Sequence, residues 1–444
     1  LPNLDLNGDL NGTRLFTDEC SSEYFYPGCN YDFISENGRN LNLLVNDAND
    51  VFYFTSLSEF FAGSDIYVRK VGIDGNIFWD SPVNLTNDFA SENFVRDVFN
   101  NQNNGAFIVY DEAGSNNFVK ILSIDSEANI LDSFPKRVCD IESDQFVEGS
   151  VDVGSGIFVV WKDNRNGQDN DIYGQYFDYN GNMVGPESGI LIAGYENDQR
   201  NAMVTYNSNL NEFLVCWEDY SSGLDYDLSC NTIDLETLQV NEGDTQFQPL
   251  FSIAGGLGDQ INVFAYTAQN GNYMIAWEDS RNNSDENLQI HTDIYYQEIN
   301  SDGSYVYEQG GIPVCGSYHI QTEPKISQYA NGANEDSYII YWSDLRSTGK
   351  DLLYNIYGQS ITHESNLSSD VIDIGNFSLN SVYPNPFNPV LNINFTNGIN
   401  SLVKVNIFDI KGRLIENVLD QNILPGEYNL TWDASNKPSG IYLI

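Results

Sequence analysis

The residues of this sequence with the clearest chemical pattern form a triplet of tryptophan, aspartate and arginine, which occurs three times. A fourth copy is incomplete, because it keeps Trp217 and Asp219 but has Ser221 in place of the arginine. Such charges could form a ring of ligand-binding groups on one face of the protein. We favour a structural role, because residues repeated from unit to unit are more often turn-fixing ion pairs beside a packed ring. The complete triplets are Trp161, Asp163 and Arg165; Trp277, Asp279 and Arg281; and Trp342, Asp344 and Arg346.

Two stretches rich in aspartate and asparagine suggest a calcium site, because Ca²⁺ prefers carboxylate and carbonyl oxygens as ligands. The first contains Asp5 and Asp9, and the second contains Asp163, Asp169 and Asp171. Neither has the twelve-residue loop with a terminal glutamate that an EF-hand requires. We favour ordinary turns closed by Asp and Asn side chains. Calcium is the one cofactor that the sequence suggests.

No catalytic motif is recognisable, so we assign no catalytic residue. The three histidines, His291, His319 and His363, lie beside no nucleophile motif such as Gly-x-Ser-x-Gly. The 64 acidic residues are enough to supply the paired carboxylates that glycosidases use, but their spacing does not single out a pair. A non-enzymatic role is favoured, and an enzymatic one stays open.

The six cysteines favour disulfides over a metal site, because none lies in a Cys-x-x-Cys or Cys/His arrangement suited to zinc. One predicted pair lies on neighbouring strands of a repeat, and the other flanks a short loop with a proline and a glycine. Disulfides indicate an oxidising compartment. The predicted pairs are Cys216 with Cys230 and Cys20 with Cys29, whereas Cys139 and Cys315 fall too far apart for a bridge between them and are expected to be packed thiols.

The charge balance narrows the choice of partners. Lys and Arg number 19 against 64 Asp and Glu, which gives a formal net charge of −45. This field repels phosphate backbones, so nucleic acid is not expected as a partner, whereas cations and basic surfaces are plausible ligands. A solvated acidic coat on an exported protein is the simpler explanation. No run of 18 apolar residues exists, so no transmembrane segment is predicted, and an export signal is expected to have been removed or to lie outside these residues.

The elements that position these side chains are short β-strands arranged in a repeat. Aromatic residues make up 13% of the chain, and Asn, Asp and Gly cluster without a sustained helical period, which predicts an all-β protein. One unit recurs at intervals of 51 to 65 residues: a strand ending in an aromatic, an acidic turn, and a strand of the Asp-Ile-Tyr type. This length fits the four strands of one propeller blade. The marker aromatics of the six repeats are Phe54, Tyr110, Trp161, Trp217, Trp277 and Trp342.

Six repeats predict a β-propeller of about six blades. The sixth repeat ends after its third strand, and the segment Thr13–Thr17 looks like an outer strand, so we expect that segment to close the sixth blade and protect its edge. In the third repeat, Asn180 and Gly181 are typical of a tight hairpin turn. The strands expected in that repeat are Val147–Val153, Ile157–Trp161, Asp171–Asp178 and Met183–Ile192.

The C-terminal segment has a different pattern. It opens with YPNPFNP and continues with a Gly-Arg turn, a Pro-Gly turn and a Gly-Ile-Tyr strand. These motifs, in this order, resemble the C-terminal sorting domain of cargo proteins of the type IX secretion system in Bacteroidetes-like bacteria. The resemblance implies a small Ig-like β-sandwich that directs passage across the outer membrane and is commonly removed or exchanged for a surface anchor. The matching motif residues are Tyr383, Pro384, Asn385, Pro386, Phe387, Asn388, Pro389, Gly412, Arg413 and Gly440.

The predicted fold is therefore all-β, with a propeller over 1–361, a linker over 362–376 and the sorting-like sandwich over 377–444. We predict an extracellular or outer-surface protein that is not an enzyme and serves adhesion, scaffolding or extracellular assembly. Its expected partners are the type IX secretion machinery, surface polysaccharide or other copies of itself. The alternative is a secreted carbohydrate-active hydrolase or lyase with its site at the propeller centre. Two carboxylates beside exposed aromatics in a pocket would favour that enzyme.

Overall fold

The computed structural model describes residues 42–46, 50–59, 63–72, 78–79, 81–87, 91–131, 134–243, 248–282, 292–316, 320–328, 337–344, 355–362, 377–384, 387, 389–397, 401–409, 414–424, 426–437 and 442–443. The regular structure of these residues is β-strand throughout. The chain divides into two compact units, residues 1–326 and 327–444. This division lies inside a strand of the sixth repeat, so the predicted boundaries at 361 and 377 stay predictions.

The first two repeats form antiparallel sheets whose strands follow chain order, joined by one parallel bridge between Ser64 and Glu92. Side chains in the second and third strands are buried almost continuously, as expected for strands covered on both faces. The strands are β1 (Asn42–Val45), β2 (Asp50–Glu59), β3 (Gly63–Gly72) and β4 (Val83–Asn84), then β5 (Glu92–Asn100), β6 (Ala106–Ala113), β7 (Asn117–Ile124) and β8 (Lys136–Arg137).

The third and fourth repeats each form a five-stranded sheet because the outer strand is interrupted. The single outer strand predicted over Met183–Ile192 is two short strands, since Gly185 and Gly189 adopt positive φ angles of 114° and 81° that break the extended chain. The strands are β9 (Gln145–Asp152), β10 (Gly156–Asp163), β11 (Asp171–Asp178), β12 (Met183–Val184) and β13 (Ile190–Ala193), then β14 (Gln199–Asn207), β15 (Glu212–Asp219), β16 (Asp227–Asp234), β17 (Val240–Asn241) and β18 (Phe251–Ala254).

The fifth repeat is a four-stranded sheet, and the sixth provides three described strands. The segment Thr13–Thr17, predicted to close the sixth blade, lies outside the described residues. That closure therefore stays a prediction. The strands are β19 (Gln260–Thr267), β20 (Tyr273–Asp279), β21 (Asp293–Ile299) and β22 (Ile312–Cys315), then β23 (Gln321–Gln328), β24 (Ser337–Asp344) and β25 (Asn355–Thr362).

Apolar side chains fill the spaces between successive sheets of the first unit. The rings of Phe158 and Phe213 stack with centroids 4.2 Å apart and join the third sheet to the fourth. Trp161, Trp217 and Trp277 are wholly buried. Burial of one such side chain is worth about 1.5–3 kcal/mol, so the marker aromatics hold neighbouring sheets together. Successive antiparallel sheets packed in this way form a β-propeller, which confirms the predicted all-β fold class.

In the second unit, residues 377–443 contribute two three-stranded antiparallel sheets. Their buried apolar side chains, among them Ile393, Phe395, Ile407 and Trp432, form one cluster. This is the arrangement that the predicted β-sandwich requires, because each sheet has one face on a common core. The strands are β26 (Phe377–Tyr383), β27 (Val390–Asn397), β28 (Ser401–Asp409), β29 (Leu414–Ile423), β30 (Gly426–Asp433) and β31 (Tyr442–Leu443), with sheet orders β26-β27-β30 and β29-β28-β31.

Cys216 and Cys230 lie directly opposite each other on β15 and β16, and the structure joins them by a disulfide with a Cα–Cα distance of 4.0 Å. Cys139 is a buried thiol that accepts a hydrogen bond from Gln145 Nε2 at 3.0 Å. Cys315 is half-buried at the end of β22. Cys20 and Cys29 lie outside the described residues.

The double variant Cys216→Ala/Cys230→Ala is expected to lose about 3 kcal/mol of unfolding free energy, because the bridge closes a loop of about fifteen residues and restricts the unfolded chain. Urea unfolding measures this loss, with Cys139→Ala as a cysteine control outside the bridge. Peptide mapping of the unreduced protein should find the Cys216–Cys230 link. Detection of both residues as alkylatable thiols in the native protein would contradict it.

Candidate ligand-binding cleft

In the third repeat, the motif side chains bind one another. Trp161 Nε1 donates to Asp163 Oδ2 at 3.2 Å, and Arg165 Nη2 donates to the same oxygen at 2.5 Å. The Arg165 guanidinium lies over the Tyr173 ring, 3.6 Å from its centroid. Arg165 also donates to the backbone carbonyl of Ser188 at 2.7 Å. The guanidinium thus neutralises a buried carboxylate and covers an aromatic face.

The fifth repeat has the same arrangement. Trp277 Nε1 and Arg281 Nη2 both donate to Asp279 Oδ2, at 2.8 and 2.5 Å. The Arg281 guanidinium lies 4.3 Å from the centroid of the Tyr295 ring. In the sixth repeat, Trp342 Nε1 donates to Asp344 Oδ2 at 3.1 Å, and Arg346 lies outside the described residues.

The fourth repeat departs from this arrangement at two positions. Each of its residues lies 56 positions after its counterpart in the third repeat, so Ser221 stands where Arg165 does and Ser229 where Tyr173 does. The strand register agrees, because Trp161 lies opposite Tyr173 and Trp217 opposite Ser229. Both groups that fill the space beside the buried tryptophan in the third repeat are therefore replaced by serine.

A cleft of about 890 Å³ opens at this place. Its walls come from the third and fourth sheets and their turns, and none of its lining residues lies on β9 or β14, the first strands of those sheets. The ring of Tyr195 lines it and stacks on Trp217 with centroids 6.0 Å apart. The polar side chains of its lining include Asp171, Glu196, Asp219, Ser221, Asp227 and Ser229.

Asp219 and Trp217 lack two contacts of their counterparts: the bond between the indole and the carboxylate, and the bond between the carboxylate and an arginine. Asp219 Oδ1 accepts from the Ser221 backbone N–H at 3.0 Å, from the Ser221 hydroxyl and from Gln199 Nε2 at 3.4 Å. Among the described residues, no hydrogen-bond donor reaches Asp219 Oδ2, and Trp217 Nε1 has no acceptor although the side chain is wholly buried. A buried N–H without an acceptor costs about 1–3 kcal/mol, which makes this group an unusual feature of the site.

Two carboxyl groups of the cleft have strongly raised pKa values. Burial, followed by the charges of Asp225 and Asp219, raises the pKa of Asp227 to about 6. Burial and the charges of Asp169 and Asp163 raise the pKa of Asp171 to about 6, against the lowering effect of Arg165. Burial is the main cause of the raised pKa in both cases, and the charges of neighbouring acidic groups add to it.

The raised pKa of Asp227 predicts a pH-dependent stability. Its usual value of 3.8 rises to about 6 on folding, so the folded state holds this proton more tightly than the unfolded chain does. The stabilisation is fully present below about pH 4 and is lost as the pH rises through about 6. The melting temperature should therefore fall over this range, and the fall should be smaller in Asp227→Asn, as followed by scanning calorimetry. Identical pH profiles for the two proteins would contradict the assignment.

The acidic residues predicted to bind calcium have other partners where they are described. Asp163 is bound to Arg165, and Asn166 donates to Asp169 and, at 3.3 Å, to Asp171. Among the described residues, no group of three or more His, Cys, Asp or Glu side chains could hold a metal ion. Asp5 and Asp9 lie outside that part of the chain, and calcium stays a prediction.

In the C-terminal segment, part of the predicted motif is described. Tyr383 is exposed at the end of β26, Pro384 follows that strand, and Pro389 precedes β27. Phe387 packs on Trp432 with ring centroids 5.5 Å apart, so this motif residue anchors the core of the segment. The remaining motif residues, Asn385, Pro386, Asn388, Gly412, Arg413 and Gly440, lie outside the described residues.

Comparison with known proteins identifies this segment. A family model described as the secretion system C-terminal sorting domain matches residues 381–444. The protein carries a type IX sorting domain. It is therefore exported to the extracellular space or the outer cell surface, as the sequence predicted. Within the described residues, no helix has the length and apolarity to cross a membrane.

The solved structures named here are distant likenesses of this chain. No curated protein matches the chain. Among solved structures, an α-L-arabinanase from Penicillium chrysogenum is 9% identical over 74% of this chain and 94% of its own, with a TM-score of 0.37. A protein of unknown function from Dyadobacter fermentans is 9% identical over 72% and 95%, with a TM-score of 0.40. An ulvan lyase is 9% identical over 74% and 79%, with a TM-score of 0.41. Such likenesses carry no information on activity.

Proposed function

We propose that this exported protein serves adhesion or extracellular assembly without catalysis, and that it binds its partner in the cleft of the fourth repeat. The observation that carries the proposal is the replacement of an arginine and a tyrosine by Ser221 and Ser229. The third and fifth repeats fill the corresponding space with their own side chains. The fourth repeat alone among these three leaves it open beside two carboxylates.

The electrostatics of the cleft support a binding role. Asp219 and Asp227 line it without an arginine of their own repeat, and Trp217 has a buried N–H without an acceptor among the described residues. These features destabilise the fold relative to the filled arrangement of the neighbouring repeats. Perturbed groups in a concave site are typical of functional positions.

A carbohydrate-active hydrolase or lyase is the second candidate, because a carboxyl with a pKa of about 6 could act as a general acid. Glycoside hydrolysis, however, uses two carboxyls whose pKa values differ, one acid and one ionised base or nucleophile. Asp171 and Asp227 are both raised to about 6 by the same causes. This pair therefore lacks the difference in pKa that glycoside hydrolysis uses.

The test uses the purified full chain, fluorescently labelled, and cells that lack its gene. Wild-type protein should bind the cells saturably, and Ser221→Arg/Ser229→Tyr, which restores the side chains of the third repeat, should bind at least about tenfold more weakly, a loss of about 1.4 kcal/mol. Val184→Arg, which adds the same charge at an exposed position on β12, is the control. Equal binding by the double variant, or release of sugar fragments from surface polysaccharide, would contradict the proposal.

A further inference from the structure

We infer that the group bound in the fourth-repeat cleft is a guanidinium, supplied by an arginine side chain on a basic partner. This inference rests on the proposed binding function and specifies its chemistry. The third and fifth repeats serve as the template, because each places an arginine of its own at the position that is open in the fourth repeat.

Both contacts that the fourth repeat lacks are made in the other repeats by one atom, Oδ2 of the motif aspartate. In the third and fifth repeats, the Oδ2 atom of the motif aspartate accepts from the indole N–H and also from Nη2 of the arginine. In the fourth repeat, Asp219 Oδ2 accepts from neither, and the indole N–H of Trp217 has no acceptor within the described residues. Loss of the guanidinium and loss of the indole contact thus occur together.

A guanidinium entering the cleft could restore both contacts. It would attract the second oxygen of Asp219 toward the position that this atom has in the other repeats, where the Trp217 N–H can reach it. The Asp227 carboxylate supplies further negative charge, since Gly256 N, at 3.3 Å, is the only donor to its side chain among the described residues. Charge-assisted hydrogen bonds of this kind are about twice as strong as neutral ones.

The geometry favours arginine over other cations. In both filled repeats the guanidinium lies over a tyrosine ring, and Tyr195 offers an aromatic ring to the fourth-repeat cleft. A lysine ammonium is a point charge that cannot present a planar fork, and Ca²⁺ requires six to eight oxygen ligands. The net charge of −45 also attracts basic partners over long distances.

The test is a titration of the full chain with acetyl-Gly-Arg-Gly-amide, with the citrulline peptide as a matched neutral ligand. Binding is followed by the indole ¹⁵N–¹H NMR signals, and Trp217→Phe assigns the signal of interest. We expect the arginine peptide to shift the Trp217 signal and to bind at least about tenfold more tightly than the citrulline peptide, with the lysine peptide in between. Asp219→Asn and Ser221→Arg/Ser229→Tyr should each weaken binding by a similar factor.

Unchanged Trp161 and Trp277 signals will show that these variants are folded. Equal binding of the arginine and citrulline peptides, or undiminished binding by the folded double variant, would overturn the inference. Failure of the guanidinium inference can be distinguished from failure of the proposed function. If the double variant loses cell binding while the arginine peptide has no effect, only the guanidinium assignment is wrong. If the peptide binds but the protein does not bind cells, the adhesive function is wrong.

Discussion

Removal of residues 377–444 is expected to abolish surface display while the repeat region stays folded. The buried core of this segment is a cluster built from its own strands, and among the described residues the clusters between the repeat sheets contain none of this segment. The match to a sorting domain over residues 381–444 assigns export to this segment. Cell fractionation should find the truncated protein inside the cell envelope and none of it at the surface or in the medium.

Two point variants test whether the fold of this segment is needed for surface display. Trp432→Ala removes a side chain that is 2% exposed and packs on Phe387, so it should cost about 3–5 kcal/mol and strongly reduce display. Thr431→Ala, at the exposed neighbouring position, should leave display unchanged. Near-ultraviolet circular dichroism of the truncated protein checks that the repeats are folded. Normal display of the truncated chain would show that the sorting assignment is wrong.

Replacement of Asp279 by alanine is expected to destabilise the protein by about 3–5 kcal/mol. This carboxylate is almost wholly buried and binds both Trp277 and Arg281. Its removal leaves a partly buried guanidinium without its counter-charge and an indole N–H without its acceptor. Urea unfolding measures the loss, with the m value checked for constancy.

Asp219→Ala is the matched control for this prediction. Asp219 occupies the same place in its repeat and caps the same turn, since each aspartate accepts from the backbone N–H two residues on. It binds neither an arginine nor the tryptophan among the described residues, so its removal should cost only about 1 kcal/mol. Similar losses of unfolding free energy for the two variants would mean that Asp219 has buried partners equivalent to those of Asp279, which would contradict the open site of the fourth repeat.

The sequence was sufficient to predict the repeats because their period, turns and marker aromatics all repeat together. Strand pairing in the third repeat follows the predicted positions over Asp171–Asp178. The outer strand is interrupted, and the prediction missed this because the alternation of side chains does not reveal the positive φ angles of Gly185 and Gly189. Local chain geometry overrides the side-chain pattern there.

The cleft could be predicted only in part. The missing arginine at Ser221 was visible as a departure from the motif, but Ser229 escaped notice because it lies on the next strand. The constant offset of 56 residues between the third and fourth repeats would have revealed it. The contribution of Tyr195 could not be read from the motif, since this residue comes from the end of the third repeat and meets Trp217 only in the packed sheets.

The central claim is that the exported protein acts through the fourth-repeat cleft, and cell adhesion tests it most directly. A strain that lacks the gene is complemented with the wild type, with Ser221→Arg/Ser229→Tyr or with Val184→Arg, and surface amounts are matched by antibody labelling. We predict that the wild type and Val184→Arg restore cell aggregation or surface attachment, and that the double variant does not. Full restoration of adhesion by the double variant at equal surface amount would contradict the claim.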